Sequence, residues 1–286
     1  MADHDTARTV FITGTSTGIG RTTALQLDAS GWRVFAGVRR EQDGESLRAK
    51  SSPRLTPMLL DVTDAAAVAQ AAKNVKNALG EEPLGGLVNN AGIGVGGPLE
   101  FVETDELRRQ FEVNVFGPIE MIRTFLPFLQ RPGGRIVNVS SVAGRMTTPL
   151  IGPYCASKYA LEALSDALRI ELRGAGIQVA LVEPGFIATP MLDKAHSEIG
   201  TEIEGLPAPG LDRYEAPLRK QDERFEQFGR RASPPEAVAR AIERALTRPR
   251  ARTRTSVGID AKLSLFLNRI LPDRARDALL GRLVGL

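Results

Sequence analysis

Thr13-Gly14-Thr15-Ser16-Thr17-Gly18-Ile19-Gly20 stands between two segments of different periodicity. Before it, Thr9-Val10-Phe11-Ile12 is a short apolar run, which predicts a buried strand. After it, apolar residues from Ile19 to Leu27 recur at helical spacing, and Gly31 is placed to follow the helix end. A chain turning from strand to helix needs glycines where its backbone must approach a ligand. The helix N-terminus then offers unbonded N–H groups to phosphates. The spacing is GxxxGxG, where the commoner dinucleotide turn is GxGxxG. A plain glycine turn is the alternative reading, and the place directly after the first strand favours a dinucleotide site.

The same rhythm continues outward. Strands are predicted over Arg33–Val38, Leu55–Leu60, Gly86–Asn90, Gly134–Ser140 and Gln178–Val182. Helices are predicted over Ala65–Leu79, within Asp105–Leu129, and over Tyr154–Arg173. Alternation of this kind implies right-handed crossovers and a doubly wound α/β fold, its parallel sheet covered on both faces. From Pro184 the rhythm fails. Residues 190–230 read as charged and loop-rich, Pro235–Thr247 as helical and Ala261–Leu271 as amphipathic. The expected organisation is one domain, with a cofactor-binding and catalytic core over 7–190. A substrate-binding loop and C-terminal helical extension then occupy 191–286.

Composition narrows the classes. The two histidines, His4 and His196, argue against a histidine metal cluster, and no metal is expected. The single cysteine, Cys155, excludes an internal disulfide framework and suits a reducing, cytoplasmic setting. With no well-placed histidine beside it, Cys155 reads as a small packing residue. Neither a signal peptide nor an apolar run of bilayer length is evident. Residues 240–286 carry eleven basic and four acidic side chains, against 26 and 30 in the rest of the chain. The basic surplus therefore belongs to the C-terminal stretch. It follows no nucleic-acid reader motif, so no nucleic-acid partner is expected.

Two further patterns bear on chemistry. The second strand ends Gly37-Val38-Arg39-Arg40, with Val38 where an acidic residue would bind both ribose hydroxyls of NAD. Arg39 beside it suits a 2′-phosphate, so NADP(H) is favoured over NAD(H). A solvated arginine pair is the plainer reading. Asp61 and Val62, after the third strand, stand where an adenine edge would lie, or Asp61 caps the next turn. Tyr154 and Lys158 are four apart on one helical face. A phenol near pKa 10 is a poor proton-transfer group at neutral pH. A neighbouring ammonium favours the phenolate, which then exchanges a proton with a secondary alcohol or ketone. Ser141, ending the preceding strand, is placed to hold the substrate oxygen.

The ordered set of Thr13–Gly20, Asn89-Asn90-Ala91-Gly92, Asn114, Ser140-Ser141, Tyr154-Cys155-Ala156-Ser157-Lys158 and Pro184-Gly185 resembles the short-chain dehydrogenase/reductase (SDR) family. The likeness covers roughly residues 7–190 and implies a Rossmann-like oxidoreductase. It implies that Asn114, Ser141, Tyr154 and Lys158 form the catalytic tetrad. Lys158 would also hold the nicotinamide ribose, and Asn114 a water behind the lysine. Gly14, Thr15, Ser16, Thr17, Gly18, Ile19, Gly20, Asn90, Ala91 and Gly92 would line the cofactor site. Pro184, Gly185 and Thr189 would meet the nicotinamide carboxamide. Thr17 departs from the Arg or Lys of many NADP-preferring members. Relatives often form dimers or tetramers, so a homo-oligomer is expected.

A weaker likeness to steroid and retinol dehydrogenases rests on Val182-Glu183-Pro184-Gly185 and Leu271-Pro272-Asp273-Arg274. Met191, Leu192, Ile199, Ile203, Leu206, Phe225 and Phe228 are expected to line an apolar pocket for a small hydrophobic alcohol or ketone. A non-catalytic redox sensor is the alternative, opposed by the retained tyrosine and lysine. Three readings stand for the tail, 261–271. It folds back over the cleft with its leucines in the pocket wall, packs on the core or a partner, or rests on an anionic membrane surface.

Overall fold

All four residues of β1 (Thr9–Ile12) and of β4 (Gly86–Asn89) are buried, as are all five of β5 (Arg135–Val139). Strands enclosed on both faces need not alternate polar and apolar side chains, which is why these runs are mostly apolar, with Asn89 and Asn138 paired to each other inside the sheet. The computed structural model describes residues 8–286; Ala7 and His4 lie outside them. With β2 (Arg33–Val38), β3 (Leu55–Leu59), β6 (Gln178–Pro184) and β7 (Arg254–Val257), the strands form one parallel sheet ordered β3-β2-β1-β4-β5-β6-β7. The chain reverses its direction of winding between β1 and β4. Beyond the carboxyl ends of those two strands a crevice opens.

Each face has its own core. Val10, Ile12, Val34 and Val182 meet Ala24 and Leu27 of α1 (Gly18–Ala29) and Ile242 and Leu246 of a later helix, Pro235–Thr247. Phe11, Phe35, Leu87 and Ile136 face Val68 and Val75 of α3 (Ala65–Leu79) and Met121 and Phe125 of α5 (Gly117–Phe125). Between β2 and β3 lies α2 (Glu41–Arg48). The long helix predicted within Asp105–Leu129 is present and carries a π bulge: α4 (Thr104–Phe111) passes through one π-helical turn, Glu112–Phe116, into α5. Gly117 follows the turn, where a Cβ would lie 2.8 Å from Val62 Cγ2. A π turn inside a helix is a common mark of a functional site, and this one contains Asn114.

Downstream, α6 (Gly152–Glu171) precedes β6. Residues 190–230 are helical and not the expected loop. They form α7 (Pro190–Glu204) and α8 (Ala208–Gly229), in which Lys194–Glu198, Glu215–Arg219 and Glu226–Arg230 pair at i,i+4. Such pairs support a helix that lacks a broad apolar stripe. Ile199, Ile203 and Leu206 pack with Leu150, Leu218 and Val284 in a third core that ties these helices to the segment before α6. They stabilise this cover by packing against one another. α9 is Pro235–Thr247, and the chain ends in α10 (Ile259–Ile270) and α11 (Asp273–Val284). Among the described residues no helix is long and apolar enough to cross a membrane.

Candidate active site

The glycine turn is shaped by backbone approach. Gly14 and Gly18 hold φ of 69° and 55°, in the left-handed region that favours glycine. A Cβ on Gly14 would lie 2.7 Å from Ala91 Cα, and one on Gly20 would overlap the Gly14 carbonyl. Thr13 and Asn90 sew this turn to the end of β4. Thr13 Oγ1 accepts from the N–H groups of Asn90 and Ala91 at 3.0 Å, and Asn90 Nδ2 donates to Thr13 O and Gly14 O at 3.0 Å. Thr15 is buried, its hydroxyl donating to Gly37 O at 2.9 Å, so its side chain anchors the turn to β2. Thr17, ahead of α1, makes no side-chain cap, and the first turn of α1 contains no acidic residue. These uncapped N–H groups at the crevice fit an anionic diphosphate. Opposite, Thr189 lies 3.2 Å from where a Gly18 Cβ would be, so the segment after β6 closes over the turn.

Arg39 is exposed at the end of β2, with no ion pair within 4.0 Å among the described residues. Asp61 stands near it. Burial works to raise the Asp61 carboxyl. Hydrogen bonds from the Thr63 N–H (2.9 Å) and hydroxyl (2.7 Å), with the Arg39 charge, outweigh burial and hold the group below its ordinary value. Asp61 therefore does cap the following turn. The Val62 side chain points into the core against Gly117.

Tyr154, Ser141 and Lys158 converge beyond β5. Ser141 is buried and lies two residues past that strand; its Oγ accepts from the Ala143 N–H at 3.1 Å and hydrogen-bonds the Tyr154 hydroxyl. Lys158 Nζ lies 5.8 Å from the Tyr154 ring centroid and donates to Val139 O at 3.0 Å. Desolvation pushes the phenol up to about 12, against the Ser141 hydrogen bond, which lowers it. Desolvation also brings Lys158 down to about 8, while Glu162 holds it up. In the protein alone, then, burial outweighs the lysine's expected pull on the phenol. The Gly92–Gly94 loop crosses both groups: a Cβ on Gly92 would lie 3.7 Å from Lys158 Nζ, and one on Gly94 4.0 Å from Tyr154 Cδ2.

The Asn114 side chain is fully engaged by protein. Its Oδ1 accepts from Ile93 N–H at 2.9 Å, and its Nδ2 donates to Ile93 O at 2.9 Å and to Ser157 Oγ at 3.1 Å. Gln110, one turn earlier and missed in the sequence, does the same work on the Ile93 carbonyl (2.7 Å) and the Val95 N–H (2.6 Å). Asp260 was also missed. It accepts from Phe186 N–H at 2.7 Å and fills the space beside Gly185 that any Cβ would need, while Gly185 N–H bonds Val257 O at 2.9 Å. Phe186 stacks on Phe228 at 4.4 Å, which pins α8 over the end of β6. His196 is exposed and clips α7 to Asp222 of α8 at 2.5 Å.

A glycine turn at the switch point of a parallel sheet, with a Tyr-x-x-x-Lys helix and a strand-end serine beside it, defines a nicotinamide-dependent oxidoreductase. Residues 8–200 match the short chain dehydrogenase family, and the chain belongs to it. It is 42% identical over 277 residues to mouse retinol dehydrogenase 5, covering 95% of this chain and 87% of the relative. It is 37% identical over 290 residues to human 17-beta-hydroxysteroid dehydrogenase type 6, covering 99% and 90%. Among solved structures, a short chain dehydrogenase from Burkholderia cenocepacia J2315 in complex with NADP superposes with a TM-score of 0.72 at 26% identity, covering 96% of both chains. One from Burkholderia phymatum in complex with NAD gives 0.77 at 25%, covering 98% of this chain and 96% of that one.

Proposed function

We propose that the protein interconverts a hydrophobic alcohol, secondary in a steroid or related lipid and primary in a retinoid, and the corresponding carbonyl compound. Tyr154 is the acid–base group and Ser141 holds the substrate oxygen. Lys158 contributes positive charge and binds the nicotinamide ribose. The convergence of Tyr154, Ser141 and Lys158 in one desolvated corner supports this most directly. When bound, the nicotinamide cofactor supplies the hydride donor or acceptor and, oxidised, a positive ring charge. Gly14, Ser16, Thr17, Gly18, Ile19 and Gly20 would hold its diphosphate through backbone N–H groups, with Asn90, Ala91 and Gly92 across the crevice. Pro184, Gly185 and Thr189 would border its nicotinamide end. Asn114 positions Ile93 and Ser157 behind the lysine.

During oxidation Tyr154 Oη takes the alcohol proton, and during reduction it returns one to the carbonyl oxygen; Ser141 Oγ fixes that oxygen in place. Arg39, exposed and in no ion pair within 4.0 Å among the described residues, supports NADP(H) over NAD(H). The names of the relatives support retinoid and steroid alcohols as substrates. A peripheral contact with anionic lipid, through the outward face of α10, and a homo-oligomeric state complete the proposal. Assay of all-trans-retinol, androstanediols and their carbonyl counterparts with each cofactor, followed by nicotinamide absorbance, tests it. Turnover of no member of this panel with either cofactor would reject the substrate class.

A further inference from the structure

Behind Lys158 lies a set of charges that the proton-transfer steps above do not use. Tyr154, Lys158, Glu162 and Asp166 succeed one another at intervals of four along α6, so they form one line on the helix. Glu162 is 5% exposed and Glu183, at the end of β6, is 1% exposed. Two buried carboxylates at close range repel each other and resist ionisation unless a cation joins them.

Arg254 is that cation. It reaches in from β7, beyond the 8–200 segment shared with the family. Its Nε lies 2.8 Å from Glu162 Oε2 and 3.4 Å from Glu183 Oε1, and its outer nitrogen lies 2.7 Å from Asp166 Oδ2. Arg145 reaches Glu183 Oε1 at 3.2 Å from the solvent side, and Ser256 Oγ donates to Glu183 Oε2 at 2.8 Å. Glu183 thus has three partners. Glu162 has one hydrogen-bonded oxygen, while its buried Oε1 makes no hydrogen bond of normal geometry, although Ser140 Oγ is near. A half-satisfied buried carboxylate is a poor structural clamp, which argues that its charge has another use.

The groups facing Glu162 are Lys158 and Asp166 on its own helix, Glu183 from β6, Arg254 from β7 and the Ser140 hydroxyl from the end of β5. Arg145 stands behind Glu183. Among the described residues Lys158 makes no ion pair within 4.0 Å, and Glu162, one turn away, is the acidic group that raises its proton affinity. We propose that Glu162 and Arg254 are positioning residues. Arg254 keeps Glu162 ionised, and the carboxylate keeps Lys158 charged beside Tyr154. This rests on the reading of Lys158 as the charge that serves Tyr154. It adds a residue from the C-terminal strand to the control of the site.

The test is the titration of Lys158 itself, read by carbon-13 NMR of lysine-labelled full-length protein without substrate. Seven lysines make the spectrum tractable, and Lys158→Arg assigns the signal. Glu162→Gln should lower the Lys158 midpoint by about one pH unit or more, the size of a close opposite charge. Arg254→Met should do the same by letting Glu162 take up a proton. Arg254→Lys, which keeps the charge if Arg254→Met fails to fold, should restore most of the midpoint. Asp166→Asn, on the same helix but a turn further away, should move it far less. A folded Glu162→Gln protein with an unchanged Lys158 midpoint would overturn the proposal, and so would an equal drop in Asp166→Asn. The measurement needs no turnover. A Tyr154→Phe enzyme that remained active would refute the catalytic reading without altering this result.

Discussion

Lys158 Nζ sits 5.8 Å from the centroid of the Tyr154 ring while donating to the Val139 carbonyl at 3.0 Å. The ammonium is thus anchored to the last residue of β5, two before Ser141, and strand and helix are locked at the point where the phenol stands. Tyr154→Phe removes the hydroxyl and keeps the ring that packs there. Turnover should fall by about 10²–10⁴-fold, the usual contribution of positioned proton transfer. Cofactor affinity, read by quenching of protein fluorescence, should change little. Retention of more than about a tenth of the activity would remove Tyr154 from the mechanism.

Arg39 is the exposed cation at the end of β2, and Asp61 is the nearby carboxylate that helps set the local field. Arg39→Ala should weaken NADP binding by about 1.5–3 kcal/mol, the range for a hydrogen bond to a charged group. NAD binding should stay nearly constant. Titration calorimetry with both cofactors separates the cases, and equal losses would mean that Arg39 does not read the 2′-phosphate.

Glu202 of α7 is half-buried against the loop at Gly96, whose Cβ would lie 3.2 Å from Glu202 Oε1. Burial first, and Glu198 second, push its carboxyl up to about 7 from 4.5. A folded-state value above the unfolded one contributes stability that is fully present below about pH 4.5 and lost as pH rises through about 7. Glu202→Gln stays neutral throughout. It should therefore match the parent near pH 4 and exceed it at pH 8 by about 1–2 kcal/mol after allowance for solvent screening. Each kcal/mol corresponds to roughly 2–4 °C in Tm for a chain of this size. Calorimetric scans at the two pH values check this; an equal Tm difference at both would exclude ionisation of Glu202 as the cause.

Legibility in the sequence followed burial. β1, β2 and α3 were readable to the residue because both faces of the central strands and one face of α3 meet apolar neighbours. α2, α7 and α8 were not. α7 and α8 rest on i,i+4 ion pairs and α2 on the Arg40–Asp43 pair, with a few buried residues such as Leu47, Ile199 and Leu218, and Pro217 inside α8 imitates a break. β7 was missed because Arg254-Thr255-Ser256-Val257 is an edge strand paired only with β6, so polar side chains are tolerated there. At the site, Tyr154, Lys158 and Ser141 were legible by spacing and are brought together. Gln110, Asp260 and Arg254 were not, because each acts on a residue distant in sequence whose proximity only the fold creates.

α10 does fold back: Asp260 holds Phe186, and Asn268 Nδ2 donates to Arg145 O at 2.8 Å. Yet four of its apolar residues face solvent, while Leu265 and Leu267 are half-buried. Ile259 is 85% exposed, Phe266 59%, and Leu263 and Ile270 more than half, at positions i, i+4, i+7 and i+11 of one outward stripe. Arg248, Arg250 and Arg252, grouped with this helix in the sequence, precede β7 and so lie toward the opposite end of the sheet. The exposed cations on the helix side are Lys262, Arg269, Arg274 and Arg282. An apolar stripe flanked by cations suits an anionic lipid surface, where each basic residue is worth about 1 kcal/mol and each well-buried apolar side chain about 1.5–3 kcal/mol. Leu263→Asp/Phe266→Asp touches neither the third core nor the Asp260 and Asn268 contacts. The variant should keep its Tm and its turnover of a water-soluble alcohol, and should cease to sediment with phosphatidylglycerol vesicles that bring down the parent. If neither protein binds the vesicles, and the parent is a dimer that the variant splits into monomers in sedimentation velocity, the stripe serves a second copy of the chain and the lipid contact is rejected.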